Sequence, residues 1–162
     1  MNIKLLSKGE TNFKISKNKK LGYLTSSLNF AHSDLSGFNM CPMAQKLSRS
    51  GAAQNKKLSS CSSVCVGANG FASIYTSVLE SRINKTIAFK LDTKNFMLKL
   101  VSEVENAIKL AEKKNLKPTF RLNAYSDVLF ENIKVIDPAR KMNIFEMFPS
   151  VTFYDYTKIN NR

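Results

Sequence analysis

The sequence lacks any run approaching the roughly 18 to 20 apolar residues of a membrane span, and its opening, MNIKLLSKGETNFKISKNKK, lacks the apolar stretch of a secretory signal. Both absences point to a soluble intracellular protein with no membrane partner. No internal repeat or low-complexity tract is present, which excludes a solenoid. Cysteine is scarce. Three residues, an odd number, do not make a disulfide framework and read as free thiols, ligands or a nucleophile. Acidic residues are also scarce, 12 against 25 Lys and Arg, so the chain carries a net charge of +13 that favours polyanionic partners. No RNP, helix-turn-helix or zinc-finger spacing accompanies that charge, and strong interleaving of basic residues with aromatics is largely missing.

What is present is ordinary for a globular protein. With 162 residues, 43% hydrophobic and 23% charged, the chain is long enough for one domain with its own core. We therefore read 1–162 as a single domain. Residues 1–20 form a basic N-terminal segment, and 45–60, including SRSGAAQNKK, form an inserted loop within a longer stretch rich in Ser, Gly, Asn and Lys.

Periodicity places the regular elements. LGYLTSSLNF, residues 21–30, reads as a strand bounded by polar residues. In 72–89 the apolar positions Ile74, Val78, Ile83 and Ile87 recur near helical spacing. In 94–115 the stripe is Met97, Leu100, Val101, Val104, Ile108 and Ala111, with Lys113 and Lys114 suited to the last turn and Pro118 beyond it. PTFRLN alternates, putting Phe120 and Leu122 on one face and Thr119, Arg121 and Asn123 on the other. NIFEMFPS reads as a short helix stopped at Pro149, and VTFYDYTKINNR as a strand. The order predicts an α/β fold: a partial parallel sheet, incomplete and barrel-like, with right-handed crossover helices and a long cysteine-containing loop.

Chemistry concentrates in two places. Cys61 and Cys65 lie four apart, but Ala68 occupies the position that would complete CxxxCxxC. Cys41, in NMCPMA, supplies the missing thiolate if the insert loops out. The set Cys41, Cys61 and Cys65 then suits an iron–sulfur cluster with one open iron, or zinc with His32 as a fourth ligand. The competing reading is three ordinary reduced thiols, and for His32 a satisfied polar residue. The second place is the end of the strand at 119–123. There Arg121, Asn123, Ser126 and Asp127, with Asp155 and Lys158 from the last strand, are expected at a pocket beyond the strands' carboxyl ends. The structural alternative makes Asp127 a helix cap and Arg121 the ion-pair partner of Asp155.

LGYLTSSLNFAHSDLSGFNMCPMA, the pair Cys61 and Cys65, RLNAYSD and FPSVTFYDYTKINNR together resemble the bacteriophage "gene product eighty-eight" family of uncharacterised proteins, in order along nearly the whole chain. The family pattern matches at Cys41, Cys61 and Cys65, at Arg82 with Lys85, at Arg121, Asn123, Ser126 and Asp127, and at Asp155, Thr157 and Lys158. The resemblance implies a phage protein acting in the host cytoplasm. It also implies that relatives place the first cysteine nearer the other two and continue beyond the YTK block. At one further remove, the family's cysteines and strands are similar to part of a radical S-adenosylmethionine barrel. Two functions follow as expectations. One is a protein with a three-cysteine metal or iron–sulfur site beside an α/β pocket. The other is a small basic protein that binds nucleic acid or a host protein and whose cysteines are not catalytic.

Overall fold

The computed structural model describes residues 3–8, 16–42, 65, 74–137 and 140–159. Its centre is an open four-stranded sheet, mostly parallel, as the element order predicts. Leu6–Lys8 (β1) runs antiparallel to Tyr23–Leu28 (β2), and β2 runs parallel to Lys117–Arg121 (β3). Val135–Asp137 (β4) and Arg140–Met142 (β5) form a separate antiparallel hairpin, and Thr152–Phe153 (β6) returns to pair in parallel with β3. The sheet order is β1-β2-β3-β6. Ser33–Ser36 (α1), Thr76–Leu91 (α2) and Thr93–Lys113 (α3) lie between β2 and β3, and Ile144–Met147 (α4) lies before β6.

Register explains how β3 divides its side chains. Thr25 stands opposite Thr119, with the two hydroxyls 2.8 Å apart, and Ser27 stands opposite Arg121. The alternate residues Phe120 and Leu122 enter the core. That core is closed by α3, whose buried face of Phe96, Met97, Leu100, Val104 and Ala111 follows the expected stripe, with Val101 and Ile108 partly buried beside it. The four larger buried side chains contribute on the order of 6–12 kcal/mol of transfer free energy, before conformational entropy is counted. Phe89 joins α2 to the same cluster, its ring centroid 5.2 Å from that of Phe96 and 5.3 Å from that of Phe30. Asp92 alone separates the two helices. Its carboxylate accepts the Asn95 N–H at 3.1 Å and so starts α3.

The apolar stripe read for α2 is not its buried face. Ile74 is 67% exposed and Val78 40%, whereas Arg82, Lys85, Thr86 and Phe89 are buried. The inward face of α2 meets backbone and ring surface that offers partners to polar groups. Thr86 Oγ1 accepts the Ala31 N–H at 2.9 Å and donates to the Arg82 carbonyl at 2.9 Å, and the Arg82 guanidinium lies 4.5 Å from the centre of the Tyr125 ring.

Three further differences concern the ends of the chain. The basic N-terminal segment is partly built into the fold, because Leu5 and Leu6 are buried and their N–H groups donate to Glu103 on α3 at 2.9 and 2.8 Å. Across the end of that segment Lys17–Leu21 forms a 3-10 turn ended by Gly22 at φ 83°, a left-handed conformation that glycine adopts at no steric cost. The final strand is only two residues long, although Tyr154 N–H still donates to the Phe120 carbonyl at 3.0 Å. The short helix is α4, held by a capping box: Asn143 Oδ1 accepts from the N–H of Phe145 and Glu146, and Glu146 accepts the Asn143 N–H at 2.7 Å. The insert at 45–60 lies outside the described residues.

Candidate functional site

Because β2, β3 and β6 are parallel, the chain leaves all three at one end of the sheet, and the segments 29–42, 122–130 and 154–159 meet there. Asn123 organises the middle segment. Its Nδ2 donates to the Val128 carbonyl at 2.9 Å, and its Oδ1 accepts from Ser126 Oγ at 2.8 Å and from Val128 N–H at 2.9 Å. The carboxamide thus closes the turn that presents Tyr125, Ser126 and Asp127, and it does so while only 2% exposed.

Asp127 joins the other two segments to this turn. Its N–H donates to the Met40 carbonyl at 2.9 Å, holding the segment that carries Cys41. Its Oδ2 accepts from Thr157 Oγ1 at 2.9 Å and from Lys158 N–H at 3.0 Å, holding the segment after β6. The helix cap offered for Asp127 as the structural alternative is not made. The 3-10 turn that follows, Phe130–Asn132, has Leu129 at its N-cap and no side-chain cap.

Cys41 sits against the same turn. Its N–H donates to Asn39 Oδ1 at 2.9 Å, and its thiol donates to the Tyr125 carbonyl at 3.8 Å, a weak contact. Tyr125 is in turn the ring under Arg82, so this turn also meets α2. Cys41 and Cys65 are partly buried thiols, neither of them in a disulfide. Cys61 lies outside the described residues, and among the described residues no three His, Cys, Asp or Glu side chains cluster as a metal site. His32 caps α1, where its Nδ1 accepts the Asp34 N–H at 3.2 Å.

The expected pocket residues divide between two faces. A cleft of about 580 Å³ lies beyond the ends of β3 and β6, walled by Phe145, Phe148 and Phe153, with Asn123 and Asp155 also in its lining. Arg121 is not part of it. The strand ends at Arg121, so period-two alternation no longer governs Asn123, and the two side chains part company. No ion pair joins Arg121 to Asp155 among the described residues. The guanidinium instead lies 4.9 Å from the centre of the Tyr156 ring, and its Nε is buried without a hydrogen-bond partner. Lys158 is exposed and contributes its backbone N–H, while Ser126 is buried against Asn123.

Sequence reasoning did not find the Arg82–Tyr125 stack or the Thr86 bridge to Ala31. A signal was available: Arg82, Lys85, Thr86 and Phe89 fall at helical spacing, but only one of the four is apolar. Among the described residues no helix is long and apolar enough to cross a membrane. No curated protein and no solved structure matches the chain. The family model described as Gene product 88 does match, over residues 4–162. Nearly the whole chain is covered, including every segment that meets at the sheet end, and the protein belongs to the Gene product 88 family of phage proteins.

Proposed function

We propose that the sheet end is a ligand-binding site in which Cys41, together with Cys61 and Cys65, supplies thiolates to an iron–sulfur cluster or a zinc ion, beside the cleft lined by Asn123 and Asp155. One observation carries this reading. Cys41 is held at the carboxyl ends of parallel strands by three independent contacts: Asn39 to its N–H, Tyr125 to its thiol, and Asp127 to the preceding carbonyl. Loops in that position carry the ligand-binding groups of open α/β sheets. The donor chemistry fits, because thiolates are the usual ligands of both groups and neither described cysteine is tied up in a disulfide. The thiol's contact with the Tyr125 carbonyl, at 3.8 Å, is weak, and deprotonation and metal binding would forgo it at little cost.

Bound there, a cluster supplies an iron open to a small molecule, and zinc supplies a Lewis acid. The chain's own contribution is positional. Asn123 fixes the turn, Asp127 locks the three segments together, and the phenylalanine walls of the cleft exclude water from an apolar ligand portion. His32 is not needed in this donor set, since its Nδ1 is used in the α1 cap.

Anaerobic purification followed by metal analysis and an absorption spectrum tests the reading. The expected result is bound iron or zinc that is lost in Cys41→Ser, Cys61→Ser and Cys65→Ser alike. Metal-free protein under anaerobic conditions, or metal retained in all three variants, refutes the shared site.

A further inference from the structure

At the opposite edge of the sheet, β1 and α2 border a second cleft of about 310 Å³, lined by Lys4, Leu6, Ser7, Lys8, Ser81 and Lys85. Its chemistry differs from that of the phenylalanine cleft. Lys8 ends the edge strand and Lys4 lies two residues before it, both exposed, whereas Lys85 comes from the buried face of α2 and is only 5% exposed. Burial disfavours the charged form of Lys85 and lowers its pKa. Glu103 opposes that shift, while Arg82 and Lys4 add to it. The Lys85 side chain makes no hydrogen bond or ion pair with a described residue. Glu103 is already engaged, because its two oxygens accept the N–H groups of Leu5 and Leu6 and one lies 3.8 Å from Lys99.

Lysines on an edge strand also discourage pairing with other strands. That role explains Lys4 and Lys8, but it does not require a third lysine to be buried behind them on a helix. A desolvated ammonium facing two more ammonium groups and two hydroxyls is an arrangement that an anion relieves. A tetrahedral oxyanion can accept several hydrogen bonds from ammonium and hydroxyl donors, and a cleft of this size admits one with its attached sugar.

We propose that this cleft binds a phosphate group, with Lys4, Lys8 and Lys85 as its charge partners and the Ser7 and Ser81 hydroxyls as additional donors. The phosphate can come from a free nucleotide or from the backbone of a nucleic acid. The chain's net charge of +13 suits either source.

The test uses the full chain with three probes: inorganic phosphate, a deoxynucleoside monophosphate and a fluorescent oligothymidylate. Binding is measured for wild type, Lys85→Met and Ser81→Glu. The Met replacement keeps the aliphatic stem, and Ser81 is exposed, so its Glu variant places a negative charge at the cleft without entering the core. Circular dichroism confirms that both variants are folded. Each is expected to weaken binding of at least one probe about tenfold, as loss of a charge-assisted contact does. If the oligonucleotide is the ligand, three lysine contacts give a plot of log K against log salt with a slope near about −2, and Lys85→Met reduces its magnitude by about 0.7. If the mononucleotide binds as tightly as the oligomer, the free nucleotide is the source. Unchanged affinity for all three probes in both folded variants, or no binding of any probe by wild type at low salt, overturns the proposal.

Discussion

Asn123→Ala is the sharpest test of how the sheet end is held together. From sequence, Asn123 reads as a pocket residue. The structure assigns it three hydrogen bonds at 2.8–2.9 Å in a site that is 2% exposed. Alanine leaves the Val128 N–H, the Val128 carbonyl and the Ser126 hydroxyl without that partner. A buried polar group stranded in this way costs about 1–3 kcal/mol. Water entering the vacated volume recovers part of the loss, so the sum is about 3–5 kcal/mol, a large share of the roughly 5–15 kcal/mol that holds a domain of this size together. At about 2–4 °C per kcal/mol, the melting temperature should fall by about 6–20 °C. Ser126→Ala removes one hydroxyl only and should cost about 1 kcal/mol, or about 3 °C. Differential scanning calorimetry of the two variants and wild type checks both values. An Asn123→Ala protein melting within about 2 °C of wild type would show that the carboxamide is not the organiser of the turn.

Two further perturbations probe separate parts of the fold. Thr86→Val keeps the shape of the side chain but strands the buried Ala31 N–H, and urea unfolding should register a loss of about 1–3 kcal/mol with an unchanged m-value. Acid should loosen two helix starts. Asp92 is held below the usual carboxylate range mainly by the Asn95 N–H, and Glu146 mainly by the Asn143 N–H. Both folded-state values are depressed, so the stability they contribute is present above the unfolded values near pH 4 and is lost as pH falls through the folded ones. The protection factors of amides in the first turns of α3 and α4, meaning exchange relative to the intrinsic rate at each pH, should therefore fall as the pH is lowered below about 5, and in Asp92→Asn the α3 signal should lose most of that dependence.

How much of this was legible depends on what each element asks of its residues. α3 was read correctly because its burial is almost wholly apolar: Met97, Leu100, Val104 and Ala111 repeat at helical spacing and face one core. β3 was read for a similar reason, since Thr119, Phe120 and Arg121 alternate between two different environments. α2 was misread because a hydrophobic period cannot represent a helix face satisfied by a hydrogen bond to Ala31 and a ring beneath a guanidinium. The β4–β5 hairpin and the edge strand β1 are three-residue strands, too short for a period to register.

The same division holds for the site. The residue types and their order along the chain, including Cys41, Asn123, Asp127 and the segment Thr157–Lys158, are properties of the sequence and carry its family membership. Local alternation was enough to place Arg121 on the polar side of its strand. Which partners those residues meet was decided by the tertiary structure alone, because Asp127 reaches Met40 and Thr157 only after two parallel pairings bring distant segments to one end of the sheet. Those pairings are long-range, and hydrogen bonds across 30 residues or more leave no periodic trace in the chain that makes them.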